Sequence, residues 1–377
     1  MTFGVYVHVP FCTTRCDYCD FATWTDRAHL VARYVDACAN DVRRRAERGE
    51  LAPATSVFFG GGTPSLLMPG QLATILREIP LSPGAEVTVE CNPDSVDDAK
   101  LAGYRGAGVD RLSFGVQSMR PHVLRALGRT HDPDNVDAAV AAARRAGFER
   151  LNLDVIYGTP GESLDDWRAT LTGVLALHPD HVSAYALTVE PGTPLARLVD
   201  AGTRAAPDED DQADKYLLAD ELLTGAGFAW YEISNWARPG QSCRHNELYW
   251  DGGDYVGIGC AAHGYTGGRR WWNVRTPERY VAAIEGGTGA EAGSERLDDR
   301  ARADERLALR LRTRGGVALD AVQAPVAEGL AALGLLEPDG PRWRLTQRGR
   351  LLASEITIRL LAPHPVSDPL ALGTLEC

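Results

Sequence analysis

Six short apolar runs alternate with amphipathic stretches over the first half of the chain, and this alternation constrains the fold more than any other feature. Each run is rich in Val, Ile, Phe or Tyr and ends near Gly, Pro or Asn, as β-strands do. The runs cover residues 4–9, 56–59, 86–90, 111–116, 151–156 and 182–187. Alternating strands and helices predict a parallel sheet. Six units are too few for a closed eight-fold barrel, so we predict an α/β protein with a partial (β/α)6 TIM-like barrel, whose functional groups lie at the carboxyl ends of its strands.

Three cysteines, Cys12, Cys16 and Cys19, follow the first strand with the spacing C-x3-C-x2-C. A closed iron–sulfur site takes four thiolates, so three thiolates leave one iron of a four-iron cluster open to a small molecule. Structural zinc is the alternative, but it usually takes four ligands from paired units. The nearest spare candidates, His8 and Cys38, fall in a predicted strand and a predicted helix. The spacing therefore favours an iron–sulfur cluster over zinc.

The cysteine loop, together with the run GGGTPS at residues 60–65, resembles the radical S-adenosylmethionine (SAM) superfamily. The resemblance implies a [4Fe-4S] cluster whose fourth iron binds SAM. It also implies that one electron from the cluster releases a 5′-deoxyadenosyl radical, so that the cofactors carry the chemistry and the protein orients them.

A narrower resemblance, to the oxygen-independent coproporphyrinogen III oxidase family and its haem chaperone branch, covers most of the chain. It is carried by residues 6–12, 60–65, 90–93, 111–118, 127–129, 152–158 and 345–349. The family pattern implies that the SAM site is lined by Tyr6, Tyr18, Gly61, Gly62, Thr63, Glu90, Gln117, Arg129 and Asp154. Glu90 and Asp154 are able to accept hydrogen bonds from hydroxyl or ammonium groups, and Arg129 is able to pair with a carboxylate. The alternative for a carboxylate at a strand end is a helix cap.

Two departures separate this chain from the oxidase pattern. Phe21 occupies the position of a further cysteine, and only eleven residues precede Cys12, where the oxidases carry a longer segment. The chain also contains CRHNELYW at residues 243–250, which resembles the HNxxYW signature of the haem chaperone branch. Histidine is an axial haem ligand in many proteins, so we expect His245, or alternatively Cys243, to bind haem iron. The alternative is a polar turn whose side chains satisfy backbone groups.

These features lead to two functional hypotheses. The favoured one is a haem chaperone that holds the cluster and SAM, receives electrons from a donor such as a flavodoxin, and delivers haem to respiratory haem proteins. The alternative is a radical enzyme that decarboxylates coproporphyrinogen III to protoporphyrinogen IX.

Composition limits the partners and the location. A net charge of −12 opposes binding to nucleic acid or to an anionic membrane surface. The sequence has neither a signal peptide pattern nor an 18-residue apolar run, so we expect a cytoplasmic protein without a transmembrane segment. The chain has eight cysteines, and the five outside the C-x3-C-x2-C run, the last of them Cys377, are widely spread, which suits a reducing compartment.

The length of 377 residues predicts more than one domain. We expect a barrel over 1–230, an extension bearing the haem motif and packed on it over 231–290, and a small winged-helix-like domain over 291–377. The Gly-rich, charged segment 284–302 predicts a linker. Several arginines near residues 342–350 are typical of a DNA-binding wing, but the acidic balance favours a solvated wing.

Overall fold

The fold is taken from a computed structural model, which describes residues 2–129 and 132–362. Cys377 lies outside the described residues. The strands are β1 Phe3–Val9, β2 Ala54–Gly61, β3 Leu81–Cys91, β4 Arg111–Gln117, β5 Arg150–Tyr157, β6 His181–Ala186, β7 Ala229–Glu232, β8 Asn235–Ala237, β9 Asp254–Ile258, β10 His263–Thr266, β11 Arg269–Asn273, β12 Glu291–Arg296, β13 Leu336–Asp339 and β14 Arg342–Leu345.

The helices alternate with the first six strands and then continue into the second half of the chain. They are α1 Val31–Glu47, α2 Pro69–Leu76, α3 Asp98–Ala107, α4 Pro121–Ala126, α5 Pro133–Arg145, α6 Leu164–Ala176, α7 Pro194–Asp200, α8 Glu209–Gly225, α9 Arg244–Trp250, α10 Pro277–Glu285, α11 Asp299–Leu311, α12 Ala324–Ala332, α13 Gln347–Leu351 and α14 Ala353–Leu361.

The described chain divides into two compact units. The first comprises the chain up to Ala229, together with Ser234–Leu248 and Gly253–Arg296. The second comprises Trp230–Ile233, Tyr249–Gly252 and the chain from Leu297.

The first unit is built on one mixed sheet in the order β12-β11-β10-β9-β1-β2-β3-β4-β5-β6-β8. Strands β1 to β6 are parallel neighbours, which confirms the six predicted strands and the parallel sheet. Antiparallel strands flank this core, with β8 beside β6 and β10 beside β9. The predicted α/β class is confirmed.

A seventh parallel strand, β9, pairs with β1 in the register Phe3↔Asp254. Sequence reasoning missed this strand, because its partner lies about 250 positions away and its five residues carry a weak pattern. The predicted linker at 284–302 was also wrong. That segment contains β12, which pairs with β11, and the start of α11.

The two faces of the parallel sheet differ in chemistry. Val5, Val7 and Val9 of β1 are buried on one face. The alternate residues point to the inner face of the partial barrel, because side chains alternate along a strand. That inner face is polar to an unusual degree, and its buried members include Ser56, Glu86, Thr88, Arg111, Ser113, Asn152, His181 and Ser183.

Local capping explains where several helices begin. Ser163 precedes α6 and accepts a hydrogen bond from the backbone N–H of Asp166, forming a capping box. The acidic run at residues 208–211 forms the exposed start of α8. Asp208 is its N-cap and accepts a hydrogen bond from Asp211 N at 2.8 Å.

The second unit has its own hydrophobic core, centred on the fully buried Leu311 and Ile356. Its elements run from α11 and α12 through a hairpin of β13 and β14, which pair antiparallel, to α13 and α14. Within the described part of the chain, no helix is long and apolar enough to cross a membrane.

Candidate functional site

A cavity of about 400 Å³ opens at the carboxyl ends of strands β1 to β6, within the first unit. Most of the predicted site residues line it: Cys12, Cys16, Tyr18, Cys19, Gly61, Gly62, Thr63, Glu90, Gln117, Arg129 and Asp154. The structure thus brings these residues together at the strand ends where a partial barrel gathers its functional groups. Their individual roles stay predictions. We call this region the carboxyl end of the barrel.

The cysteine loop is fixed at its base by Trp24, whose backbone N–H donates to Pro10 O at 2.8 Å and whose carbonyl accepts from Cys12 N at 3.1 Å. Cys12, Cys16 and Cys19 are free thiols and only partly buried. Burial raises the pKa of Cys12 and of Cys19. A thiol that is partly exposed beside a cavity is placed to bind a ligand that holds it as thiolate.

Donors from outside the cysteine loop reach two of the three sulfurs. Thr63 Oγ1 lies 3.6 Å from Cys12 Sγ, and Arg129 Nη1 lies 3.5 Å from Cys16 Sγ. Arg129 also donates from Nη2 to the carbonyl of Gly115 at 2.8 Å. The arginine therefore links the cysteine loop to β4.

The glycines at the end of β2 allow His8 of β1 and the start of the cysteine loop to approach closely. A Cβ at Gly61, where φ is +110°, would stand 2.5 Å from the ring of His8. A Cβ at Gly62 would stand 2.7 Å from the carbonyl of Phe11. Only glycine permits this approach, so the run lets the loop pack directly on the end of β2.

Two carboxylates, Glu90 and Asp154, line the cavity and are near enough to interact electrostatically. Glu90 Oε2 accepts a hydrogen bond from Gly61 N at 3.1 Å. Burial, assisted by the nearby charge of Asp154, raises the pKa of Glu90 to about 8. Burial also raises the pKa of Asp154, although hydrogen bonds from Ser113, Ser183 and Asn152 oppose the shift. Glu90 therefore holds a proton near neutral pH and is able to donate as well as accept.

Asn152 is the centre of the network that fixes Asp154. Its Nδ2 donates to Asp154 Oδ1 at 2.7 Å and to Ser113 Oγ at 2.7 Å, while Ser113 Oγ donates to Asp154 Oδ2 at 2.8 Å. Its Oδ1 contacts His181 Nδ1 at 2.6 Å and accepts from Ser183 Oγ at 3.2 Å. These contacts fix the orientation of the amide. Asn152 and Ser113 belong to the motifs already quoted, but only side-chain geometry reveals their supporting role.

Gln117 occupies an irregular position at the end of β4. Its φ is +64°, a region that non-glycine residues seldom adopt, and the pairing of β4 with β5 shifts register between Gly115 and Gln117. A Cβ at Gly115 would lie 3.0 Å from Gln117 Nε2. The bulge directs Gln117 into the cavity lining.

Two predicted site residues do not line the cavity. Tyr6 lies beside it, where its hydroxyl contacts His8 Nδ1 at 3.1 Å and its ring stacks on Phe58. His8 Nε2 in turn contacts Ala22 O, within the cysteine loop, at 2.9 Å. Tyr6 is therefore tied to the loop through His8 rather than exposed to the cavity.

His245 lies at the opposite end of the strands, which we call the amino end of the barrel. It is 1% exposed, its Nδ1 contacts Ser56 Oγ at 2.9 Å, and its ring stacks on Phe58. A Cβ at Gly4 would lie 3.1 Å from its Cε1. Burial lowers the pKa of His245 to about 4, so the ring is neutral at physiological pH. In this conformation the ring is enclosed, and haem iron could bind it only after α9 moves.

Glu86 organises the rest of the amino end. It accepts from Arg150 Nη2 at 2.5 Å, and its Oε1 lies 3.5 Å from Cys243 Sγ and accepts from His245 N at 3.3 Å. Burial opposes the charge of Glu86, but the guanidinium groups of Arg111 and Arg150 outweigh it and hold the pKa of Glu86 below its ordinary value. The segment that resembles a haem motif therefore begins with two residues, Cys243 and His245, that fill this end of the barrel. We call them the plug.

Comparison with known proteins agrees with this architecture. Residues 6–172 match the radical SAM superfamily, and residues 297–352 match the HemN C-terminal domain. A solved structure described as coproporphyrinogen III oxidase (HemN) from Escherichia coli, a radical SAM enzyme, superposes with a TM-score of 0.81 over 95% of this chain and 90% of that one, at 24% identity. The partial barrel with three cysteines at its carboxyl end thus defines a protein of the radical SAM class.

Curated relatives narrow the class further. A Mycobacterium tuberculosis protein named heme chaperone HemW is 47% identical over 95% of both chains. Proteins of the same name from Escherichia coli and Bacillus subtilis are 33% and 32% identical, over 95% and 94% of this chain and 98% and 97% of their own. The chain belongs to the HemW family.

The described residues fit the cofactors that this class implies. Three free thiols line one cavity, two of them with a donor at 3.5–3.6 Å that would stabilise a thiolate. Among residues 2–129 and 132–362, no three His, Cys, Asp or Glu side chains are placed to share a single metal ion. A cluster does not need such an arrangement, because each thiolate binds a different iron. The carboxylates and the guanidinium group supply the polar partners for a cofactor beside the cluster.

Proposed function

We propose that this protein is a haem chaperone that holds a [4Fe-4S] cluster and SAM at the carboxyl end of its barrel and delivers haem to respiratory haem proteins. The observation that carries the proposal is the 47% identity, over 95% of both chains, to a relative named heme chaperone HemW. The relation to an oxidase in fold does not by itself imply its chemistry, since one fold hosts many functions.

In this proposal Cys12, Cys16 and Cys19 hold the cluster, which supplies one-electron chemistry when bound. Arg129, already fixed by Gly115, pairs with the carboxylate of SAM. Asp154, fixed by Asn152 and Ser113, accepts hydrogen bonds from hydroxyl groups. Glu90, which is protonated at neutral pH, offers the cavity one hydrogen-bond donor and one acceptor from a single carboxyl group.

The haem contact is assigned to the segment around His245, as the family signature suggests. Because His245 is enclosed at the amino end, haem binding through its ring requires a rearrangement of α9. We also propose a cytoplasmic location, which suits the reduced thiols, and an electron donor of the flavodoxin kind.

A haem titration and a turnover assay, both under anaerobic conditions, test the proposal together. We expect the reconstituted protein to bind haem stoichiometrically and to form no protoporphyrinogen IX from coproporphyrinogen III with SAM and a reductant. Product formation at useful turnover would establish the enzyme instead. Failure to bind haem would rule out the proposed chaperone function.

The His245→Ala variant locates the haem contact. An altered Soret spectrum with weakened binding would support ligation by His245. An unchanged spectrum and stoichiometry would remove that role, and it would leave His245 as part of the plug.

A further inference from the structure

The second unit carries a concave site that the proposed function does not use. A pocket of about 300 Å³ is lined by Trp230, Arg314, Glu337, Arg344 and Arg350, with the backbone and side chains of residues 345–347. We call it the arginine pocket. Its volume lies at the lower end of the ~300–1,000 Å³ range of small-molecule sites.

Three guanidinium groups and a single carboxylate meet in this pocket, although the whole chain carries a net charge of −12. The described part of the second unit from Leu297 to Ala362 holds eleven arginines against nine acidic residues. Like charges gathered in one concavity repel each other, so an anion in the pocket would be stabilised.

The internal contacts of the pocket leave donors available. Arg344 is paired with two carboxylates, because its Nε donates to Glu337 at 2.6 Å and its Nη1 lies 3.6 Å from Asp339 Oδ2, and together they neutralise that guanidinium. Arg314 donates its backbone N–H to Tyr231 O at 2.8 Å, but within the described residues its exposed guanidinium has no hydrogen bond or ion pair. All the N–H donors of the Arg314 guanidinium group are therefore free to bind a ligand.

Trp230 gives the pocket a rigid wall. The guanidinium of Arg350 lies over its ring at 4.5 Å, which fixes the plane of that arginine. The indole Nε1 of Trp230 is buried, and in the described part of the chain it has no hydrogen-bond partner. A buried donor without an acceptor is costly, so the polar end of the Trp230 side chain lacks its hydrogen bond in this conformation.

We propose that the arginine pocket binds an oxyanion group, a carboxylate or a phosphate, of a small ligand. Arginine forks match both groups in planar, bidentate geometry, and a stacked arginine loses less entropy on binding than a free one. The carboxylate source would be a haem propionate, a point that rests on the proposed function. The phosphate source would be a phosphorylated metabolite.

Titration calorimetry of the full chain at low ionic strength, with inorganic phosphate and with succinate as probes, tests the pocket. We expect a dissociation constant of about 1 mM or below for at least one probe. Two charge-assisted hydrogen bonds supply roughly the binding free energy to which this constant corresponds. Arg314→Ala should weaken binding about tenfold. The control Arg300→Ala, which removes an arginine whose side chain is 81% exposed and does not line the pocket, should not change it.

Binding of neither probe to the parent protein overturns the proposal. Binding that Arg314→Ala and the double variant Arg314→Ala/Arg350→Lys both leave unchanged overturns it as well. Circular dichroism confirms that each variant is folded.

Haem and its dimethyl ester distinguish the two sources. Haem that binds more tightly than its ester, with the difference lost in Arg314→Ala, identifies a propionate. Equal binding of haem and ester by the parent protein assigns the pocket to phosphate ligands and leaves the chaperone proposal intact. Absence of any haem binding refutes the chaperone proposal, while the phosphate and succinate titrations still decide the pocket.

Discussion

Two glutamates on the same strand, Glu86 and Glu90 of β3, mark the difference between the two ends of the barrel. They are four positions apart, an even number, so both side chains point to the inner face. At the amino end, the guanidinium groups of Arg111 and Arg150 hold the pKa of Glu86 down, and its oxygens are occupied by neighbours. At the carboxyl end, the pKa of Glu90 is raised to about 8, beside an open cavity. The paired end is built for stability, and the end with spare donors and acceptors is built to take a ligand.

The cysteine loop should give the largest contrast between the ends. Cys16→Ala removes one of three thiolates at the carboxyl end, and we expect the iron–sulfur absorbance of the anaerobically reconstituted protein to disappear. Cys243→Ala removes a buried thiol at the amino end and should leave that absorbance intact. Loss of the absorbance in both variants would mean that the two ends are not functionally separate.

Removal of the amino-end charge should affect stability most. Glu86→Ala leaves the buried Arg111 and the half-buried Arg150 without this carboxylate, although Asp110 Oδ2 still lies 3.4 Å from Arg150 Nη1. Loss of one partner of a buried pair costs about 3–5 kcal/mol, and we expect about 3 kcal/mol here because Asp110 remains. Urea unfolding followed by circular dichroism measures this change. Glu90→Gln is the matched variant at the other end, and it should destabilise the protein at pH 7 by less than about 1 kcal/mol or stabilise it. Equal losses of unfolding free energy in Glu86→Ala and Glu90→Gln would contradict the difference between the two ends of the barrel.

The network around Asn152 should affect cofactor binding more than folding. Asn152→Asp places a carboxylate 2.7 Å from Asp154 Oδ1, replacing a donor with a like charge. We expect SAM to bind about 10- to 100-fold more weakly, as when the support of a ligating group is lost. Calorimetry with the cluster-loaded protein measures this. Asn152→Ser, which keeps a hydrogen-bond donor, should recover part of the affinity for SAM. A variant that merely unfolds would instead lose its cluster.

The smallest effect is a pH dependence at Glu90. Its pKa in the folded protein is about 8, above the ordinary value of 4.5, so its protonated form is favoured by folding. The resulting stability is fully present below about pH 4.5 and is lost as the pH rises towards 8. We expect the stability of the parent protein to fall by about 1–2 kcal/mol, relative to Glu90→Gln, between about pH 6.5 and pH 8. Parallel pH profiles for the two proteins would show that Glu90 is already ionised at about pH 6.5.

The sequence was sufficient for the parallel core and for the grouping of most site residues, because strand ends and the cysteine spacing are local patterns. It was insufficient where distant segments meet. Strand β9 pairs with β1 from about 250 positions away. Strand β12 lies in a segment whose glycines are typical of a linker. The enclosure of His245 by Gly4 and Ser56 depends on where α9 packs, which no local pattern specifies. The support of Asp154 by Asn152 depends in the same way on side-chain register across β4, β5 and β6.

Electron paramagnetic resonance of the reduced, reconstituted protein, before and after addition of SAM, tests most directly whether one iron is open. We expect a [4Fe-4S] signal that changes shape when SAM is added, because the three thiolates of Cys12, Cys16 and Cys19 leave one iron open. A signal that SAM does not alter, or tetrahedral zinc bound by the three cysteines, would contradict this expectation.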